Sequence, residues 1–243
     1  MPQVQRRQLL GGVASFVGVS FSARSQIVDV LPWRPDAGDP PESLATGGWV
    51  FFTPAEAAAI EAAADRLIPP DATTAGGKDA GCAVYLDRQL AGSYGSRRGL
   101  YVSPPFLKGQ KNQGPQDPDG PAAIYRKALA ALDAYTRQRK GDIFAKLAPS
   151  DQDGILHGLE RGDVNLEGVD GQSFFETLLK NIQEGFFADP IYGGNRDMCA
   201  WKMIGFPGAR YDYREWIGRH NQRFPLGPVS ITGAPDWTPA TKT

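Results

Sequence analysis

The segment Phe174-Phe175-Glu176-Thr177-Leu178-Leu179-Lys180-Asn181-Ile182-Gln183-Glu184-Gly185-Phe186 carries the longest apolar stripe of the chain. Phe174, Phe175, Leu178, Leu179, Ile182 and Phe186 recur at helical spacing, and the face they make is wide enough for a central helix. Working outward, Ser150-Asp151-Gln152-Asp153 starts a helix with Ile155, Leu156 and Leu159 inward and Gly162 at its end. Another begins at Pro121, with Ile124, Ala128, Ala131, Leu132 and Tyr135 as its stripe. There Arg137, Arg139 and Lys140 suit the negative end of the dipole, and Gly141 is the stop. A short helix is predicted over 83–91, where Ala83, Leu86 and Leu90 share a face. Thr53-Pro54-Ala55-Glu56 is a capping box with Pro at the first helical position. Ala57, Ile60, Ala64, Leu67 and Ile68 follow on one face until Pro69-Pro70 ends the helix. No segment alternates with period 2 and no repeat is visible, so the expected class is mostly α. The predicted architecture is a compact helical domain over 49–224, with long Gly/Pro-rich loops and extended N- and C-terminal arms.

Composition fits that architecture. The chain has 243 residues, a formal net charge of −1, two Cys and two His. A single core with appended arms accounts for this length. The near-neutral balance argues against a nucleic-acid binder, which normally carries a basic stripe. Gly and Pro number 29 and 20, about a fifth of the chain, which implies much irregular backbone. Part of it lies between Leu100 and Pro121, the longest structureless stretch, which carries Tyr101, Phe106 and Leu107. Long loops that bear aromatics are docking surfaces or fold back onto their own domain. Another part is a linker over 26–48, from Leu31-Pro32-Trp33 to Gly47-Gly48, and a third is the Pro-rich tail over 225–243.

The first 25 residues resemble a twin-arginine export signal. Arg6-Arg7 is followed by an uncharged apolar run from Leu9 to Phe21 and a small-residue exit around Ser22-Ala23. The run is short for a membrane span, which needs about 20 apolar residues. An uncleaved N-terminal helix is the alternative. Export by this route uses the Tat translocase and delivers folded chains to the periplasm, and loss of 1–25, which hold three Arg and no acid, would bring the charge to −4.

Candidate chemistry is sparse. His157 and Glu160 share a helix face, but a carboxylate-bridged metal pair needs Glu-x-x-His motifs that two His cannot supply. His220 has only Asp212 and Glu215 near it in sequence and no adjacent nucleophile. Gly76-Gly77-Lys78 lacks the rest of a phosphate-binding loop, and no GxGxxG follows a strand. No catalytic, cofactor-binding or metal-binding residue is therefore assigned. Cys82 and Cys199 form an even pair in a chain that reads as exported, so a disulfide is expected, with two unpaired thiols as the alternative. Closing 117 residues of separation would stabilise the fold by roughly 4–5 kcal/mol in the chain-entropy picture.

The string Gly185-Phe186-Phe187-Ala188-Asp189-Pro190-Ile191-Tyr192-Gly193-Gly194-Asn195, continuing to Trp201-Lys202-Met203-Ile204-Gly205-Phe206-Pro207-Gly208, resembles the small (gamma) subunit, subunit 3, of gluconate 2-dehydrogenases. Phe51-Phe52-Thr53, Arg66-Leu67-Ile68-Pro69, Tyr85-Leu86-Asp87-Arg88-Gln89-Leu90 and Tyr125-Arg126 support the likeness. The resemblance implies a periplasmic complex held at the membrane. In it an FAD-containing large subunit oxidises the sugar or sugar acid, and a multihaem cytochrome c subunit carries electrons onward. The small subunit, without a cofactor of its own, stabilises and escorts the flavoprotein. The chain's length leans towards gluconate-type systems. Within the string, Asp189-Pro190 ends a helix and Gly193-Gly194 allows a sharp turn. A partner interface is expected over Tyr192, Gly193, Gly194, Asn195, Arg196, Trp201, Lys202, Phe206 and Pro207, with internal packing of the same loop as the alternative. A self-sufficient periplasmic enzyme and a transient export chaperone are the other functional classes.

Overall fold

The computed structural model describes residues 48–98, 100, 104–107, 109, 118–210 and 213–231. The export signal, nearly all of the linker, Tyr101 and the end of the tail lie outside the described residues. Among the described residues seven α-helices follow in order: α1 Pro54–Leu67, α2 Cys82–Ala91, α3 Ser93–Ser96, α4 Pro121–Lys140, α5 Pro149–Arg161, α6 Gly171–Phe187 and α7 Cys199–Ile204. Among the described residues there is no strand, only two isolated bridges, Leu166 with Val169 and Gly208 with Val229. The mostly helical class is as expected. No helix among the described residues is long and apolar enough to cross a membrane.

The apolar stripe that opens the sequence reading is the hub. Asp170 caps α6, accepting the Ser173 N–H at 3.0 Å, and the helix then packs against α1, α2, α4, α5 and α7. Phe174, Phe175, Leu178, Ile182 and Phe186 are buried, while Leu179 lies at the edge of the core. The capping box of α1 forms as expected. Glu56 N–H donates to Thr53 Oγ1 at 3.3 Å and Thr53 N–H to Glu56 Oε2 at 2.8 Å. Gly141 and Gly162 close α4 and α5 with φ of +85° and +75°, the left-handed geometry of a helix stop. α5 begins at Pro149 with Ala148 as its cap residue, so the Ser150–Asp153 start lies one residue inside the helix.

On α4 the inward face is rotated from the expected stripe. Its buried positions are Tyr125, Ala128, Leu129, Leu132 and Thr136, while Ile124, Ala131 and Tyr135 sit half in the open. The reason is a polar contact. Tyr125 is fully buried edge-on to Phe174 because its hydroxyl accepts from Asn181 Nδ2 at 2.9 Å, and the same amide donates to Tyr94 at 3.0 Å.

A second polar device holds the start of the domain. The buried carboxylate of Asp87 on α2 accepts the N–H groups of Val50, Phe51 and Phe52 at 2.8–2.9 Å and pairs with Arg88 at 2.6 Å. Arg126 on α4 reaches the same segment, binding Glu56 and the Phe51 carbonyl and lying 4.2 Å over the Phe51 ring. Burial raises the Glu56 carboxyl, but the Arg126 and Thr53 hydrogen bonds outweigh it and hold the group below the ordinary glutamate value. Arg66 joins α1 to α5 through a two-point contact with Asp153 at 2.7 and 3.2 Å.

Candidate functional site

α6 ends at Phe187, and the chain must then turn sharply to start α7 twelve residues later. Asp189 makes the turn, one carboxylate oxygen accepting the Ile191 N–H at 3.1 Å and the other the Ile231 N–H at 2.8 Å. Glycine is required next for lack of space. A Cβ on Gly194 would stand 2.0 Å from the Gly185 carbonyl oxygen, and Gly193, at φ +95°, would meet Val84 at 2.9 Å. Asn195, Asp197 and Met198 all adopt positive φ, at 43°, 55° and 54°. Asn195 is fully buried and ties both ends of the loop, donating to the Ala188 carbonyl at 2.9 Å and accepting the Ala200 N–H at 2.9 Å.

The loop is also stitched to the start of α2. Arg196 N–H donates to the Ala80 carbonyl at 3.0 Å, and the Arg196 guanidinium to the Asp79 carbonyl at 3.3 Å. Trp201 turns inward, its Nε1 donating to the Phe187 carbonyl at 2.8 Å and its ring 5.2 Å edge-on from Phe206.

The expected interface residues therefore divide in two. Tyr192, Arg196, Lys202 and Phe206 face outward, and Gly193 and Pro207 are half-buried. Gly194, Asn195 and Trp201 are buried and act as the frame, so they are not part of the outer surface. Three outward residues escape the sequence reading. Phe187, Met203 and Ile204 join Tyr192 and Phe206 as large apolar side chains at least two-fifths exposed, with Ile204 at 57%. Helical periodicity would place Met203 and Ile204, three and four residues after buried Ala200, on its inward face, so their exposure in the last turn of Cys199–Ile204 is not legible from spacing.

Cys82, at the start of α2, is fully buried, and Cys199, at the start of α7, is half-buried, and both are free thiols. Burial pushes the Cys82 thiol up to about 12, with a smaller contribution from Cys199. The expected bridge is thus not formed in this structure, and Cys82 is held as an inert protonated thiol.

His157 lies on the open face of α5, 3.2 Å from Glu160, both more than half exposed. His220 is exposed on the C-terminal segment. Among the described residues no three His, Cys, Asp or Glu side chains group as metal ligands. In the long loop, Phe106 and Leu107 are exposed at 40% and 71%.

The body is helical, and its most constrained backbone presents apolar side chains to the outside. The family model described as gluconate 2-dehydrogenase subunit 3 matches residues 54–208, and the chain belongs to that family. None of the curated proteins and none of the solved structures compared with it matches. The matched segment runs from the first residue of α1 to the close of the loop just described. Membership makes the chain a subunit of an oxidoreductase complex, with partner subunits.

Proposed function

We propose that this chain is the non-catalytic small subunit of a periplasmic, membrane-associated, FAD-dependent dehydrogenase of the gluconate 2-dehydrogenase type. Its role is to stabilise the flavoprotein catalytic subunit and escort it through Tat export by way of Arg6 and Arg7. FAD then belongs to the large subunit and haem c to a cytochrome subunit. The observation that carries this reading is the loop between α6 and α7. It lies inside the family match, its backbone is fixed by Asn195 and the paired glycines, and it turns Phe187, Tyr192, Met203, Ile204 and Phe206 outward. A rigid apolar surface with Lys202 and Arg196 beside it suits a lasting protein contact, since a pre-ordered loop loses little entropy on binding. The paired, exposed His157 is poorly placed for proton transfer to a sequestered substrate.

Affinity purification of the full chain from periplasmic and membrane fractions tests the proposal. The expected result is a flavoprotein in fixed ratio through size exclusion. Recovery of the chain alone, with sugar-acid oxidation by the isolated chain, would overturn it in favour of a self-sufficient enzyme. Loss of the partner after export would indicate a transient chaperone. Arg6→Lys with Arg7→Lys should leave both chains in the cytoplasm, and continued export of the flavoprotein would defeat the escort role.

A further inference from the structure

The family match stops at Gly208, and at that residue the chain begins an excursion that the family role does not account for. Ala209 N–H donates to the Val229 carbonyl at 2.7 Å and Val229 N–H to the Pro207 carbonyl at 3.2 Å, so the chain closes at the base of an arm over 209–228, of which 209–210 and 213–228 are described. Gly208, at φ +78°, makes the closure possible, because a Cβ there would fall 2.1 Å from the Val229 oxygen. The Asp189 carboxylate, which also makes the turn after α6, holds the far side of the base through Ile231. The arm is therefore anchored to the same residue that shapes the outward loop.

We propose that this arm contacts an anionic membrane surface. Its twenty residues hold four arginines against one aspartate and one glutamate, a net of +2 within a chain whose total is −1. The rings of Tyr213, Trp216 and Phe224 pack on one another and are not among the residues of the main core. Phe224 lies 5.7 Å from Tyr213 and 5.1 Å from Trp216, Arg210 covers Phe224, and Arg219 covers Trp216 at 4.4 Å. Arg210 also bonds the Gly227 carbonyl at 2.7 Å, fixing the arm's shape from within.

The rings are thus engaged inside the arm. Exposed on the arm are Ile217 at 71%, Leu226 at 55%, Arg223, and Arg219 over the Trp216 ring. A protein pocket selects rigid aromatic anchors. Scattered aliphatic side chains and arginines, with half-buried Trp216 and Tyr213 in the same arm, suit a bilayer interface, which asks for shallow apolar insertion and positive charge but no shape match. The net charge of the whole chain would not by itself bring it to an anionic surface, so local complementarity at the arm has to do so.

Co-sedimentation of the full chain with vesicles tests this without any partner subunit. Vesicles of phosphatidylcholine with one-third phosphatidylglycerol should retain the chain, pure phosphatidylcholine should retain much less, and raised salt should release it. At about fivefold per arginine, Arg219→Gln with Arg223→Gln should weaken binding about 25-fold, while the corresponding Lys variants bind as wild type. Ile217→Ser with Leu226→Ser should also weaken it. The apolar N-terminal run is common to all forms and adds the same background to each. Equal retention by neutral and anionic vesicles would overturn the proposal, as would undiminished binding of the Gln variant. Loss of flavoprotein association by the Gln variant, with vesicle binding unchanged, would overturn it by assigning the arm to a protein partner.

Discussion

Asn195 is a polar residue with no solvent exposure, joined to one backbone carbonyl and one backbone N–H seven and five residues away in opposite directions. Read in sequence after two glycines, it looks like the tip of a turn, because nothing in its spacing reveals that both hydrogen-bond partners lie inside. Its positive φ of 43° is a conformation that asparagine tolerates better than most residues. Asn195→Ala strands the Ala188 oxygen and the Ala200 N–H and adds backbone strain, so we expect about 3 kcal/mol of lost stability by urea unfolding. A loss under about 0.5 kcal/mol would mean the loop is not fixed this way. The cysteines follow the same logic of burial. In native protein a thiol reagent should modify Cys199 slowly and leave Cys82 untouched, and both should label at once after denaturation without reductant. Failure of either to label in that last condition would show a bridge.

At the scale of elements, the helices were legible and their faces partly so. The stripe on α6 and the apolar positions of α5 appear in the sequence because Leu, Ile and Phe at helical spacing have one favourable placement, towards one another. α4 was misjudged where polar groups set the rotation. Tyr125 enters the core through Asn181, a partner 56 residues away that no local pattern reveals. α3 went unread because Ser93–Ser96 is one turn long and carries no stripe. The start of α1 shows the opposite case, in which a local motif is reinforced at a distance. Phe51-Phe52-Thr53, Asp87 and Tyr125-Arg126, scattered segments that carried the family likeness, meet there, with Asp87 and Arg126 both gripping residues 50–56. Glu56 belongs to that knot, and its folded carboxyl sits below the ordinary value of 4.5. A depressed acid contributes stability at neutral pH that is lost as pH falls through its folded value. Wild type should therefore exceed Glu56→Gln in melting temperature at pH 7, by the equivalent of about 1 kcal/mol or less for a partly screened pair. The gap should narrow progressively as pH falls below 4.5 and through the lower folded value. A gap that does not narrow at all as pH falls below 4.5 would remove the carboxylate from the explanation.

For the whole molecule, the question is what the frame around residues 188–208 is for. A loop that served only to connect α6 with α7 would not need buried Asn195, a glycine where a Cβ would stand 2.0 Å from a carbonyl oxygen, and three non-glycine residues at positive φ, and it would gain by turning its apolar side chains inward. The outward placement of Met203 and Ile204, in the last turn of α7 beyond buried Ala200 and Trp201, separates the two functions by residue. Substitutions at the buried positions damage the fold, and substitutions at the exposed ones need not. Met203→Ser with Ile204→Ser should leave the unfolding midpoint of the isolated chain nearly unchanged, since surface replacements usually stay within about 0.5 kcal/mol. If this face binds the flavoprotein, truncating two of its apolar contacts should weaken association by roughly 10-fold or more, at about 1–2 kcal/mol for the pair. Paired measurement of melting temperature and of flavoprotein recovery on the same preparation separates the outcomes. Loss of both would make Met203 and Ile204 structural, and retention of both would place the partner surface elsewhere, with the exposed Phe106–Leu107 segment the next region to test.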